Sequence, residues 1–342
     1  MNPLITLANK INRRPKKKYK ILTFATHEAY QTNLALATGH DFYILNRGNG
    51  SKQWDRRFKP LPPNTYEYNA ISDTEYDIDF ILSQERFGQI QFATEISKAL
   101  RLPIVHLEHI EPQIKNWDDK TLKAMMSFKA DINVFITEHN KKSWGVENAV
   151  VVKHGIRTND FVGWNSKADP QKEKYVLYVV NALAQRDQFC GYTEWQTIKN
   201  MVESIDPSIK FALVGDNPGI SLPIANESHL ISAINNCSCY LNTSRLSPVP
   251  MSLMEAMSCG APCVSTANQE VPSIINNETI CSNNLEHLAN QIVKICNDKE
   301  YASNIGGYCR ERIVQNYNID DFANSWNAVF DLAYNKRIEG IL

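Results

Sequence analysis

No run of apolar residues in this 342-residue chain approaches the ~20 that a bilayer-crossing helix needs, so the sequence offers no candidate helical span. Cysteine is missing from the first half: all eight lie between Cys190 and Cys309, without the regular spacing of a disulfide framework, as expected in a reducing compartment. Cys237 with Cys239, or Cys259 with Cys263, could be proposed as metal ligands, but no matching histidine pair lies nearby. Paired acids in a metal-binding context are lacking too. Asp118-Asp119 falls in a predicted helix and Asp77-Ile78-Asp79 leads into a predicted strand, so both read as structural and no metal is expected. No signal peptide with a small-residue cleavage site is visible, and the expected location is the cytoplasm.

Net charge is also small, at −1, but it is unevenly placed. Residues 1–59 hold twelve Lys/Arg against three acids, a balance of +9, which leaves −10 for the remainder. Such segregation suggests a polyanionic partner near the N-terminus, either an anionic lipid surface or nucleic acid. A solvated tail followed by a charged loop is the plainer alternative. With lipid as partner, the protein would sit peripherally at the inner membrane face.

What is present is a chain of ordinary globular composition, 43% hydrophobic and 21% charged, and long enough for two domains. Residues 1–18 form a basic arm, with an amphipathic LITLANKI followed by RRPKKK. From Tyr19 the pattern becomes short buried runs separated by helical stretches. YKILTFAT, HDFYILN, IDFILSQ, LPIVHLE, INVFITE and VVVKHG read as strands, with helical candidates at residues 88–100 and 118–129. WNSKADPQKEK, residues 164–174, has linker composition, after which KYVLYVV, FALVG, SCYLNTS, APCVST and ETICS continue as a second series. Alternation of this kind predicts an α/β protein with two doubly wound, mostly parallel sheets: an N-terminal domain over 19–163 and a second over 175–316. Residues 317–342 belong to a strongly helical end, RERIVQNYNIDDFANSWNAVFDLAY, with Phe322, Trp326, Val329 and Phe330 on one face. Two such domains facing across a cleft would bind ligand at the carboxyl ends of their strands.

Within the second series, SPVPMSLMEAMSCGAPCV stands out. Proline is favoured where first-turn amides are orphaned, so a helix is predicted to start near Pro250. Gly260, followed by Pro262, should end it. Its first-turn amides and dipole make a phosphate site that needs no side-chain charge. Glu255 is the only acid inside the helix.

Taken in order, five segments resemble a GT-B glycosyltransferase of the retaining family 4, or group 1, type. They are ATGHDFYIL, ADINVFITEHNKKSW with VVVKHGIRTNDF, KYVLYVVNALAQRDQFCG, NTSRLSPVPMSLMEAMSCGAPCVST and NYNIDDFANSW, and together they span most of Tyr19 to Tyr334. The resemblance implies a fold of two Rossmann-like domains facing across a cleft, with residues 317–342 crossing back to the first. It also implies a nucleotide-diphosphate sugar as co-substrate, with no other cofactor. The amides of Met251, Ser252 and Leu253 would then hold the diphosphate and Glu255 the ribose, a task suited to a carboxylate that can accept from two hydroxyls. A surface glutamate is the alternative. Asn181 and Gly215 would line the donor pocket, and His154 with Gly155 stands where the family has an asparagine-glycine turn.

Two departures qualify the resemblance. The first glutamate of the family pair is Ser247 here, and Asn181 with Ala182 occupies the glycine-arginine positions, leaving Arg186 to neutralise the diphosphate unless it pairs with Asp187. His109, or His106 under a shifted register, would reach the donor sugar. His27 and Glu28, after Thr26, would border the acceptor. The acceptor implied first is a glycan or glycolipid hydroxyl. A second possibility is hydroxymethylated cytosine in DNA, modified by a phage-type enzyme in a host cytoplasm, because RGNGSKQWDRRFKP interleaves Trp54 with Arg56 and Arg57. A third is a non-catalytic nucleotide-sugar binder.

Overall fold

Two parallel sheets organise the chain. The computed structural model describes residues 17–46, 53–56, 59–68, 77–86, 88–112, 117–164, 173–221, 224, 226–247 and 249–339. The basic arm before residue 17, Arg57, Pro248 and most of the 164–174 segment lie outside these. One unit comprises Met1–Gly155 with Ile319–Leu342, and the other Ile156–Asn318.

In the first unit, short runs of Ile, Leu, Val and Phe form seven parallel strands: β1 (Lys20–Thr23), β2 (Asp41–Leu45), β3 (Thr65–Tyr68), β4 (Phe80–Ser83), β5 (Ile104–Glu108), β6 (Ile132–Phe135) and β7 (Val150–Val151). Their order is β3-β2-β1-β4-β5-β6-β7. The direction of strand addition reverses between β1 and β4, so the crevice beyond their carboxyl ends is the position where such sheets bind ligands. β3 was not anticipated. TYEY has one fully buried residue, and only pairing with β2 makes it a strand.

Helices α1 (Glu28–Thr38), α2 (Gln89–Leu100), α3 (Asp119–Ser127) and α4 (Glu138–Ser143) connect these strands. The C-terminal helix, α12 (Ile319–Ile338), packs against α1. Its buried face includes Trp326, whose Nε1–H donates to Tyr30 Oη at 2.9 Å, and Phe330 lies against Phe42 and Phe80. His40 Nε2 meets Asn327 Oδ1 at 2.9 Å, and Tyr19 Oη donates to Asp331 at 2.6 Å. The helical end is two helices rather than one. Residues Lys299–Asn316 form α11, and the chain breaks at Tyr317 and Asn318 before α12 begins.

The second unit has four parallel strands, β8 (Tyr175–Val179), β9 (Lys210–Val214), β10 (Cys239–Asn242) and β11 (Cys263–Ser265), ordered β11-β10-β8-β9. Strand addition reverses between β8 and β10. ETICS adds no strand: Cys281 makes a single parallel bridge to Ser265. Around the sheet lie α5 (Asp187–Cys190), α6 (Tyr192–Ile205), α7 (Glu227–Asn236), α8 (Met251–Cys259), α9 (Val271–Ile275), α10 (Leu285–Asn297) and α11. Their apolar faces enclose a core that includes most of the cysteines, all free thiols. Burial pushes the Cys259 and Cys296 thiols up to about 12, so both are inert packing groups at neutral pH. Residues 156–164 join this unit: Trp164 donates its amide to Cys259 O at 3.1 Å and its Nε1–H to Cys237 O at 2.9 Å.

Candidate functional site

The loops after β8 and β10, at the reversal point of the second sheet, lead into α5 and α8. Helix α8 starts directly after Pro250, which occupies the capping position with φ −75°, and ends at Gly260, whose φ of 87° is left-handed. Ser252 anchors the helix start: its hydroxyl donates to Val179 O at the end of β8 (3.1 Å) and accepts from Tyr240 Oη on β10 (2.9 Å). The Leu253 amide already donates to Pro250 O at 3.1 Å, so of the three expected phosphate donors it is committed within the helix. Glu255 sits one turn in and is 8% exposed, which is unlike a surface-helix glutamate. Leu253, Met254, Ala256 and Met257 are sealed in the core, so the helix cannot shift without disrupting the packing.

A chain of buried hydroxyls and amides supports the loop before α8. Tyr178 Oη donates to Cys190 O (3.0 Å) and lies 3.2 Å from Ser244 Oγ, Ser244 donates to Asn242 Oδ1 (2.9 Å), and Asn242 donates to Ser265 Oγ (2.8 Å). Gly191 permits the closest approach here, because a Cβ added to it would fall 1.9 Å from Thr243 O. Ser247 follows this ladder as a half-buried loop residue.

The loop after β8 is clamped to the loop after β9. Asn181 Oδ1 accepts the Asp216 amide at 2.8 Å, and buried Asn217 donates to Val180 O (2.8 Å) while accepting from the Leu183 amide (2.8 Å). Gly215 is required at the junction, with φ 126° and a hypothetical Cβ 2.3 Å from Val180 O. Ala182 takes a left-handed φ of 52°, a conformation that glycine adopts more readily. Arg186 is exposed, its guanidinium 5.9 Å from the Phe189 ring, and it makes no ion pair among the described residues. The expected alternative partner, Asp187, instead accepts from the amide and hydroxyl of Thr193 at 2.8 and 2.7 Å and faces Arg245 at 3.9 Å. Arg245 is itself held by Glu194 at 2.7 Å. Sequence reading passed over Arg245, and its neighbour in NTSRLS gave no sign of these partners.

In the first unit, the reversal point is lined by histidine and glutamine. His109 lies just past β5, 8% exposed, with Nε2 3.3 Å from Gln84 Oε1. Its ring is edge-on to His27 (4.4 Å between centroids) and to Tyr30 (4.7 Å). Burial first, then the neighbouring His27, His154 and His106, hold the His109 pKa well below the usual imidazole value, so the ring is neutral. His106 is fully enclosed on β5, 3.2 Å from Ser83 Oγ and 3.3 Å from Glu108 Oε2, which makes it a structural histidine. Glu108 is the centre of a buried cluster in which Arg86 Nε also donates to Oε2 at 3.3 Å and the Arg86 guanidinium lies 5.2 Å from the Trp144 ring. His154 is buried beside Tyr30, its pKa lowered to about 3 by desolvation and by His27.

In the loop after β1, His27 is exposed just before α1, while Glu28 is buried and accepts the Asp55 amide at 3.3 Å. Trp54 differs from expectation. Its ring is 6% exposed, packed with Ala25 and Ile44, and its Nε1–H donates to Lys59 O at 2.8 Å, so it is a core residue and not a stacking platform. Arg56 is paired with Glu67 at 2.5 Å, and Arg57 lies outside the described residues. Lys17 and Lys18 are likewise matched by Asp79 (3.1 Å) and Asp41 (2.6 Å). Asp79 and Glu67, both outside residues 1–59, thus offset part of the N-terminal positive excess on folding, while Asp41 belongs to that segment.

Among the described residues no group of three or more His, Cys, Asp or Glu is placed to hold a metal ion, and no helix is long and apolar enough to cross a membrane. Residues 166–312 match the family model for glycosyl transferases group 1. A search of the curated proteins finds no match. Among solved structures, HepE from Anabaena in complex with UDP and glucose is 13% identical, with a TM-score of 0.72 over 92% of this chain and 99% of that one. Sucrose-phosphate synthase from Thermosynechococcus elongatus is 16% identical, with a TM-score of 0.67 over 93% and 100%. A glycosyltransferase from Rickettsia africae is 13% identical, with a TM-score of 0.67 over 93% and 99%. Residues 166–312 are thus similar to the glycosyl transferases of group 1, and the chain, with its two parallel α/β units, has the GT-B fold of these structures.

Proposed function

We propose that the protein transfers a sugar, with retention, from a nucleotide-diphosphate donor to an acceptor hydroxyl in glycan or glycolipid synthesis. The observation that carries this reading is the start of α8: a helix N-terminus pinned by Ser252 at the strand reversal of the second sheet, with Glu255 one turn behind it. The amides of Met251 and Ser252 and the helix dipole hold the diphosphate, and Glu255 accepts from the ribose hydroxyls. Because the Leu253 amide is bonded to Pro250 O, the phosphate falls to the first two amides. Arg186, exposed beside the loop after β8, supplies the positive charge that the missing glycine-arginine pair would otherwise give. Gly215 and Asn181 contribute by shaping that loop.

As the anomeric carbon–oxygen bond to phosphate breaks, negative charge on the departing diphosphate is met by fixed amide dipoles and Arg186. The leaving phosphate takes the proton of the incoming hydroxyl on the same face, and the new glycosidic bond forms there. This route needs no metal. Neutral His109 contacts the donor sugar, and His27 with Glu28 borders the acceptor. With Ser247 in place of the usual acid, the sugar hydroxyls are held by a shorter neutral group, which favours a donor sugar with different hydroxyl demands. HepE, a protein of like fold, was crystallised with UDP and glucose, which makes UDP-glucose the first donor to test.

Burial of Trp54 takes away the stacking platform that the DNA-acceptor reading calls for, and Arg56 is paired with Glu67. Thermal stabilisation by a panel of nucleotides and nucleotide sugars tests the proposal, since a ligand of the folded state raises its stability. A shift of the melting point with one nucleotide, followed by turnover of its sugar conjugate, is expected. Binding without turnover of any sugar conjugate points to a non-catalytic binder.

A further inference from the structure

A hydrogen-bond relay reaches His109 from the backbone, and its polarity is set at the far end. Thr23 Oγ1 lies 2.9 Å from Leu82 O, and since a carbonyl can only accept, the single hydroxyl proton of Thr23 is spent there. Thr23 Oγ1 can therefore only accept from Gln84, 3.0 Å away, so the Gln84 atom facing it is the amide nitrogen. The second Gln84 amide hydrogen goes to Gln31 Oε1 at 2.7 Å, and the Gln84 backbone amide donates to Gln89 Oε1 at 2.9 Å. Gln84 is 1% exposed and held on every side, so its Oε1 is the atom left facing His109 Nε2 at 3.3 Å. A carboxamide oxygen cannot donate. Nε2 of His109 must carry the ring proton.

We propose that Gln84 is a positioning residue that locks His109 as its Nε2–H tautomer, leaving Nδ1 as the sole acceptor the ring offers to a sugar hydroxyl. This rests on the reading of His109 as a sugar contact. Gln84 does not touch substrate; it acts through His109. Sequence alone could not find it, because Gln84 ends the IDFILSQ strand pattern as an ordinary polar residue. Around the ring, His27 just before α1 and Tyr30 on α1 meet it through ring edges, and His154 and His106 act on it at longer range. Burial first, then His27, His154 and His106, favour the neutral ring, in which the choice of tautomer matters.

Nitrogen-15 NMR of histidine-labelled protein, with His109 assigned by its loss in His109→Ala, reads the tautomer directly in the full chain and needs no Gln84 variant. The expected result is a pyrrole-type Nε2 and a pyridine-type Nδ1; the reverse pattern overturns the proposal. In Gln84→Met, which keeps the volume, the ring should lose its single tautomer. The kcat for sugar transfer should fall about tenfold with little change in donor KM, as expected when one hydrogen bond used in the transition state is lost. A pure Nε2–H signal and unchanged kcat in Gln84→Met overturn it as well. In Gln84→Glu, the added negative charge should raise the pH at which His109 protonates and shift the acid limb of the rate profile upward. An unmoved limb counts against the relay. Should His109→Ala leave transfer unchanged while the tautomer is as stated, the substrate role of His109 fails and the relay stands.

Discussion

Glu255 is itself buried on a helix whose neighbours are sealed in the core, so the proposed ribose contact comes from a firmly placed carboxylate. Glu255→Ala should raise the donor KM about tenfold or more, since hydrogen bonds to a charged group contribute ~1.5–3 kcal/mol. Unchanged steady-state kinetics would remove the ribose assignment. The buried histidines make a second prediction at this scale. His154 titrates near about 3 in the folded chain, against ~6.5 for an unperturbed histidine. As pH falls below about 6.5, the unfolded chain takes up protons that the folded chain refuses, and stability declines until the pH reaches the folded value. Above pH ~7 the effect is absent. Each such ring gives a slope of up to ~1.4 kcal/mol per pH unit, so urea-unfolding free energies should drop between pH 6.5 and 4, and His154→Gln should make that slope shallower. Identical slopes would show that His154 is not responsible.

At the scale of elements, the loops of the proposed donor site depend on backbone approaches that side chains cannot enter. Gly191 ends α5 and opens α6 with φ 73°, and a Cβ there would overlap Thr243 O. Gly191→Ala should cost more than ~2 kcal/mol, because the left-handed conformation alone costs a non-glycine residue ~1–2 kcal/mol before the overlap is relieved. Chemical denaturation measures the loss, and donor affinity should fall with it, since Thr243 leads into the loop before α8. Ser252→Ala is milder. It removes the links to Tyr240 and Val179, and a loss of ~1–3 kcal/mol with weaker nucleotide binding is expected from calorimetry and titration. The start of α8 was legible in sequence because proline, an apolar stripe and a terminal glycine act within a few residues of one another. Commitment of the Leu253 amide was not, since it depends on the local pitch of the first turn.

At the scale of the whole molecule, α12 completes the first unit from the far end of the chain. Trp326 is fully buried and bonded to Tyr30, so Trp326→Ala should destabilise by ~3–5 kcal/mol and leave the Tyr30 hydroxyl without that donor. Thermal unfolding followed by tryptophan fluorescence and by calorimetry should place the loss in the first unit. A transition confined to the second unit would contradict this division of the chain.

The sequence by itself determined most of the elements and their class, though not β3 and not the single bridge at ETICS. Buried runs of four or five residues alternating with helical segments allow little but parallel α/β sheets, and proline, glycine and one glutamate mark the helix proposed to bind phosphate. Those signals are local, and each is carried by neighbouring residues. Only the tertiary structure decided which strands lie side by side, and with that where the strand order reverses in each sheet. It also sent Trp54 into the core, paired Arg56 with Glu67, separated His109 from His106, and brought Thr23, Gln31 and Gln84 to one ring. These outcomes join residues up to 61 positions apart, and chain order carries no information about such contacts until the sheet is assembled.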